Sequence, residues 1–265
     1  MLPLTPFPLS PLPLTRPSHP GAIDFISRHY DLSRVAFRGA SAGGLVVTLA
    51  ACGVPADRAL ASAHDLAVAH DLFDRPLGAA GVFGGVVRAW LHDLLPPDAV
   101  DRCGGGRLKL VVTPLRVSSL FSPPATVDCF STRDELVDAC LASAHVPFFL
   151  DGRPSASYRG RAYVDGSFQD FFTRGNSEAL ACGGGAYVLD YLHDDTLSLD
   201  GRLDFLKLRD LEGARELMAA GAAYARRQME AGALDRHFAG VRLAGSGGDG
   251  PEGLAGLAAP AAAGL

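Results

Sequence analysis

The 265 residues are 48% hydrophobic and 20% charged, with a net charge of −5 at neutral pH. That balance describes a globular chain long enough for a substantial core and gives nucleic acid no electrostatic reason to be a partner. No apolar run approaches the roughly 20 residues of a membrane span. The five cysteines include no C-x-x-C pair, which argues against a cysteine-built zinc site and for free thiols in a reducing compartment. Lys109 and Lys207 are the only lysines among 24 basic residues. With so much Ala and Gly beside them, the arginines reflect coding bias rather than a recognition surface.

Residues 1–18 alternate Leu and Pro. Proline interrupts helix and sheet alike, so the stretch is neither a signal-peptide core nor an amphipathic transit helix, and a disordered leader is expected. Ala22–His29 can form a short helix. Val35-Ala36-Phe37 reads as a short buried strand ended by Gly39, and the run GGLVVTLAAC from Gly43, apolar on all sides, suits a helix buried at the centre of a domain. Pro55–Phe73 and Gly84–Leu94 are two further helices, the first opened by Pro55 and the second closed by Pro96-Pro97.

After the Gly104-Gly105-Gly106 loop, LKLVVTPL from Leu108 looks like a buried strand with Thr126–Phe130 as its partner. Thr132–Ser143 is a helix with Thr132 and Glu135 in a capping-box spelling. Ala186–Leu189 is another strand candidate. Leu211–Ala231 is the clearest helix, with Leu211, Ala214, Met218, Gly221, Ala225 and Met229 on one face. Residues 239–265 are Gly/Ala-rich and expected to be disordered, leaving one domain over 19–238. Strands alternating with helices predict an α/β domain with a largely parallel sheet.

Three sets of residues could carry chemistry. Gly39-Ala40-Ser41-Ala42-Gly43 spells G-x-S-x-G between a strand and a helix, the context in which a serine is exposed on a sharp turn at a helix N-terminus. In a chain rich in Gly and Ala, chance spacing explains the same letters equally well. Asp165, in YVDGS, ends a short strand, where α/β folds place functional groups; an ordinary Asp-Gly turn is the commoner reading of such a dipeptide. Among the histidines, His193 and His237 follow Asp165 in the order a Ser-Asp-His triad needs, but both lie in stretches that read as surface. The His-Asp pairs at His64, His70, His92 and His193 hint at metal, yet His64 and His70 are six apart and on different helix faces.

Taken together, the ordered segments resemble the patatin-like phospholipase family, including its triacylglycerol-lipase branch. GASAGG matches the nucleophile elbow, GRLKLVVTPL (Gly106–Leu115) the central strand, and FSTRDELVDACLASAHVPFF from Phe130 the strand, helix and Ser-x-x-x-Pro turn. YRGRAYVDGS (Tyr158–Ser167) is similar to the segment with the catalytic Asp, and FLKLRDLEGARELMAAGAAYARR to the C-terminal helix of plant and algal members. The resemblance spans roughly residues 19–232.

It implies a three-layer patatin-like α/β fold, its largely parallel central sheet flanked by helices and lacking the first strand. It also implies a Ser41–Asp165 dyad without histidine. Ser41, held in the elbow of Gly39, Ala40, Ala42 and Gly43, would attack an ester carbonyl and form an acyl-enzyme. Asp165, followed by Gly166, would take the proton and later activate water. The substrate would be a glycerolipid ester (phospholipid, galactolipid or triacylglycerol) met at a membrane or lipid-droplet surface. No cofactor or metal is called for. A cytoplasmic or peripheral location follows, with a plastid also compatible.

Two departures qualify this. The family's Asp-Gly-Gly is Asp165-Gly166-Ser167 here. The family's Gly-rich oxyanion loop is not found before His19, where the Leu/Pro leader stands, so the oxyanion hole has no assigned residues, and losing even one such donor costs roughly 10²–10³ in rate. A catalytically weak lipid-binding or regulatory homologue is therefore the alternative reading, and a Ser-His-Asp esterase the third.

Overall fold

Short buried strands separated by helices can bury both faces only by stacking into layers. The computed structural model describes residues 6–8, 18–75, 78–115, 123–168, 186–189 and 210–243. In chain order its elements are β1 (Pro6–Pro8), α1 (Ser18–His29), β2 (Ala36–Ala40), α2 (Ser41–Ala51), α3 (Ala56–Ala69), α4 (Phe83–Leu94) and α5 (Ala99–Cys103). Next come β3 (Leu108–Pro114), β4 (Ala125–Val127), α6 (Arg133–Ser143), β5 (Ala156–Tyr158), β6 (Arg161–Val164), α7 (Leu211–Glu230) and α8 (Ala233–Phe238).

The sheet runs β1-β2-β3-β6-β5, with β4 also on β3. Its core β1-β2-β3 is parallel, Phe37–Ala40 lying beside Leu108–Val111. The added strands β4, β6 and β5 pair antiparallel. Helices flank this mixed sheet, α2 and α6 packing on β3 and on each other, and the architecture is the α/β one expected.

The parallel strands β2 and β3 are covered on both faces over most of their length, which is why they read as largely apolar runs, interrupted only at half-buried positions such as Arg38 and Lys109. Along β3, Leu108, Leu110, Val111 and Val112 are all buried. Helix α2 is buried nearly all round, from Gly43 and Gly44 through Val47 and Leu49 to Ala51. Thr48, a buried polar residue in the body of the helix, donates its hydroxyl to the Gly44 carbonyl at 2.7 Å, which removes the penalty of an unpaired buried group. At α6 the predicted cap forms: Thr132 Oγ1 accepts the Glu135 N–H at 3.1 Å. The Glu135 carboxylate reaches one residue further back than a capping box requires, accepting the Ser131 N–H at 2.6 Å.

Helices α1 and α7 pack at backbone contact. A Cβ added at Gly21 would lie 1.9 Å from the Met218 carbonyl oxygen, so only glycine permits this approach. The buried positions of α7 are Ala214, Gly221, Tyr224 and Ala225. The predicted small residues are thus inward, with Tyr224 joining them.

At the chain ends the structure differs from expectation. Pro6–Pro8, in the leader, forms β1, pairing with β2 alone; an edge strand is where the missing proline N–H is tolerated. The start of the Gly/Ala-rich tail is also docked: Asp31 N–H donates to Val241 C=O at 2.7 Å and Leu243 N–H to His29 C=O at 2.9 Å. Ala186–Leu189 packs with Ala186, Tyr187 and Leu189 buried, and bridges only at Leu189. Helix α2 starts two residues earlier than its apolar run, at Ser41 itself.

Candidate active site

The turn from β2 into α2 is too tight for ordinary backbone. Ser41 sits at φ +54°, in the left-handed region that non-glycine residues avoid, at a cost of about 1–3 kcal/mol. Glycine at 39 makes the turn possible. A Cβ there would lie 2.6 Å from Val47 Cγ2 and 2.7 Å from the Gly43 carbonyl oxygen. The sequence Gly39-Ala40-Ser41-Ala42-Gly43 therefore folds into a strained strand-to-helix elbow with Ser41 2% exposed. Ala40, the residue before α2, offers its first turn no side-chain acceptor, so the amides there, Ala42's included, have no side-chain cap from Ala40.

Asp165 follows the last residue of β6 and is completely buried. Its N–H donates to the His145 carbonyl at 2.8 Å, and the next amide, Gly166 N–H, donates to the Ser143 carbonyl at 2.9 Å. One carboxylate oxygen accepts the Ser167 N–H at 2.8 Å, an Asx-type turn that fixes the side chain. Serine in place of the family's second glycine is accommodated there, its side chain buried.

The elbow and the aspartate are brought together through β3 and the end of α6. Ser143 Oγ donates to Val111 C=O at 2.7 Å and accepts the Ser41 N–H at 3.2 Å. The same residue's carbonyl holds Gly166. A Cβ at Gly166 would lie 2.2 Å from Val111 O and 3.0 Å from Ala40 Cβ, so the residue after Asp165 lies directly against the residue before Ser41. Sequence reading singled out neither Ser143 nor His145, although both sit in the Ser-x-x-x-Pro turn that carried part of the resemblance.

The histidines take other places. His237 packs tilted against Tyr187 at 5.7 Å between ring centroids, and burial with the nearby Arg236 charge lowers its pKa. His193 lies outside the described residues. His145, although its carbonyl holds Asp165, directs ring Nε2 to the Arg153 carbonyl at 3.2 Å. Among the described residues no group of three or more His, Cys, Asp or Glu is placed to hold a metal ion.

A cavity of about 800 Å³ lies along one face of α2, within the size range of ligand pockets. Ala42, Leu45, Val46, Leu49 and Ala50 form that wall, starting one residue past Ser41; α1, α3, α4 and α7 supply the others through side chains such as Ile23, Ala63, Phe83, Trp90 and Met218. Its lining is mainly apolar, with Asp24, His64 and Asp210 among the polar residues that share it. At the far end stand Arg102 and Arg107. Arg107 is not an anion site: it donates to the carbonyls of Leu32, Val35, Ala51 and Arg102, closing the C-terminal end of α2.

The structure thus places a strained serine elbow at a helix start, a buried aspartate whose following glycine lies against that elbow, and an apolar cavity along the same helix. The sequence profile of the patatin-like phospholipases matches residues 19–173, more than half of the chain, and the chain belongs to that family. It is 31% identical over 133 residues to omega-hydroxyceramide transacylase of Mus musculus, covering 50% of this chain and 21% of the relative. The Homo sapiens protein of that name matches at 31% over 133 residues, 50% and 24%. The 1-acylglycerol-3-phosphate O-acyltransferase Pnpla3 of Mus musculus matches at 32% over 137 residues, 51% and 31%. The matches thus cover from about a fifth to a third of these relatives' lengths. Among the described residues no helix is long and apolar enough to cross a membrane.

Proposed function

We propose that the protein is a lipid acyl hydrolase in which Ser41 is the nucleophile and Asp165 its base. The observation that carries the reading is Ser41 itself, kept at φ +54° at the strand-to-helix turn, the backbone geometry expected of a nucleophile elbow. Ser41 Oγ attacks the ester carbonyl, its proton passes to the Asp165 carboxylate, and the oxyanion forms against the first-turn amides of α2, Ala42 N–H among them. The alcohol leaves, the acyl group remains on Ser41, and a water activated by Asp165 releases the fatty acid. The apolar wall beginning at Ala42 supports a long acyl chain laid along α2. The leaving alcohol would be that of a glycerolipid presented at a membrane or droplet surface.

The names of the relatives favour a second reading on the same intermediate. An acyl-enzyme on Ser41 can be intercepted by a lipid hydroxyl instead of water, giving transfer rather than hydrolysis. A fluorophosphonate probe and a long-chain ester test both. Labelling is expected for the wild type, absent in Ser41→Ala and slowed in Asp165→Asn, with free fatty acid as the product; an acylated acceptor, formed when glycerol-based hydroxyls are added, marks transfer. Equal labelling or turnover in Ser41→Ala sinks the dyad. A chain that binds long-chain lipid without Ser41-dependent labelling is the lipid-binding homologue.

A further inference from the structure

We propose that Cys52 and Cys103 are a thiol-oxidation site that closes to a reversible disulfide when a peroxide-class oxidant reaches it. The two sulfurs lie 3.7 Å apart, with both residues buried. Cys52 ends the helix that starts with Ser41, and Cys103 ends α5. Arg102, next to Cys103, donates from Nη1 to the Cys52 carbonyl at 2.8 Å while its Nε holds Asp98. That clamp keeps the two thiols facing each other. A disulfide needs the sulfurs at about 2.05 Å, and the closing motion falls on a compliant segment. Gly104-Gly105-Gly106 follows Cys103, with Gly105 and Gly106 at positive φ and open space around both.

The pair is chemically asymmetric. The hydrogen bond from the Cys103 thiol, with the guanidinium groups of Arg102 and Arg107 nearby, holds Cys52 below the ordinary thiol range, and Cys103 is pushed up correspondingly. Cys52 is thus the sulfur that reacts first. Its thiolate attacks one peroxide oxygen, the O–O bond breaks, and the leaving hydroxide takes a proton to become water. The resulting sulfenic acid is attacked by the Cys103 sulfur; the S–S bond forms, the S–O bond breaks and a second water leaves with the Cys103 proton. Two thiols are oxidised by two electrons and one peroxide is reduced to two waters. The cavity brings an oxidant next to the pair, since Ala51 and Gly53 on either side of Cys52 and Arg102 beside Cys103 line its far end, although neither cysteine does. Cys140, the third buried thiol of this region, is held by Thr48 Oγ1 at 3.4 Å. Exposed Cys129 lies elsewhere.

The full chain carrying Cys129→Ser, which removes the exposed thiol, is treated with a few equivalents of hydrogen peroxide. It is then denatured, alkylated with a maleimide and digested with trypsin without reduction. The expected product is peptide 39–58 linked to peptide 103–107, with maleimide uptake at Cys52 and Cys103 falling together by roughly tenfold or more and returning on dithiothreitol treatment. With Cys103→Ser added, Cys52 is expected to be trapped by dimedone as a sulfenic acid. Full alkylation of both cysteines after peroxide overturns the proposal, as does equal dimedone trapping at Cys52 with and without Cys103.

Discussion

Ser143 accepts the backbone N–H of Ser41 at 3.2 Å through an oxygen that itself donates to Val111 at 2.7 Å. A single hydroxyl thus uses one lone pair and its proton to tie the elbow to the central strand, while the same residue's carbonyl receives Gly166. Ser143→Ala leaves the buried Ser41 N–H and Val111 C=O each without this partner. We expect a loss of about 1–3 kcal/mol in stability, read as a lower Tm, together with slower fluorophosphonate labelling of Ser41. An unchanged Tm and labelling rate would show that Ser143 holds neither.

The strain at Ser41 makes stability and function separable. Glycine accepts φ +54° without penalty, whereas alanine inherits the strain. Ser41→Gly should therefore be more stable than Ser41→Ala by about 1 kcal/mol despite glycine's extra chain entropy, and both should be inert to the probe. Denaturant unfolding of the two variants side by side decides it; alanine proving the more stable would mean the elbow is relaxed.

The cavity predicts chain-length selectivity. Ala63, on α3, lines its wall, and Ala63→Trp would fill space along α2 without touching Ser41, Asp165 or Ser143. Long-chain ester hydrolysis should lose about tenfold in kcat/KM, equivalent to ~1.4 kcal/mol, and a short-chain ester should be affected far less. Equal losses on both substrates would place the acyl chain elsewhere.

The α6 cap predicts an acid-sensitive element. Hydrogen bonds from Arg159 and the Ser131 N–H lower the Glu135 pKa from 4.5 to about 2. Because the folded-state value lies below the unfolded one, this stabilisation is complete above pH 4.5 and is lost as pH falls toward 2. The group is solvent-screened, so Glu135→Gln should cost under about 1 kcal/mol at neutral pH. Thermal unfolding from pH 7 to 2.5 should show the wild-type and Glu135→Gln curves converging in acid; a constant gap would argue against the pair.

What was legible in the sequence depends on how far apart the cooperating residues lie. The elbow could be read because Gly39, Ser41 and Gly43 meet within one turn, and the α6 cap because Thr132 and Glu135 are three residues apart. Buried strands and the buried α2 could be read because continuous apolar runs can satisfy only a covered position. By contrast, β1 was obscured by its prolines, since proline argues against a strand unless its edge position is already known. The mixed pairing on β3 was likewise hidden, because strand direction depends on partners and not on local pattern.

The candidate site shows the same division. The sequence alone determined where a strand-to-helix serine elbow could form, because Gly39, Ser41 and Gly43 are neighbours in line, while Asp165 entered only through the ordered resemblance. Only the tertiary structure decided that Ser143, 102 residues from Ser41, holds the turn, and that Cys52 and Cys103, 51 residues apart, face each other. It alone drew six helices around one apolar cavity. Hydrogen bonds and cavities are properties of groups converging in space, and a chain's composition and periodicity describe each group only with its neighbours in line.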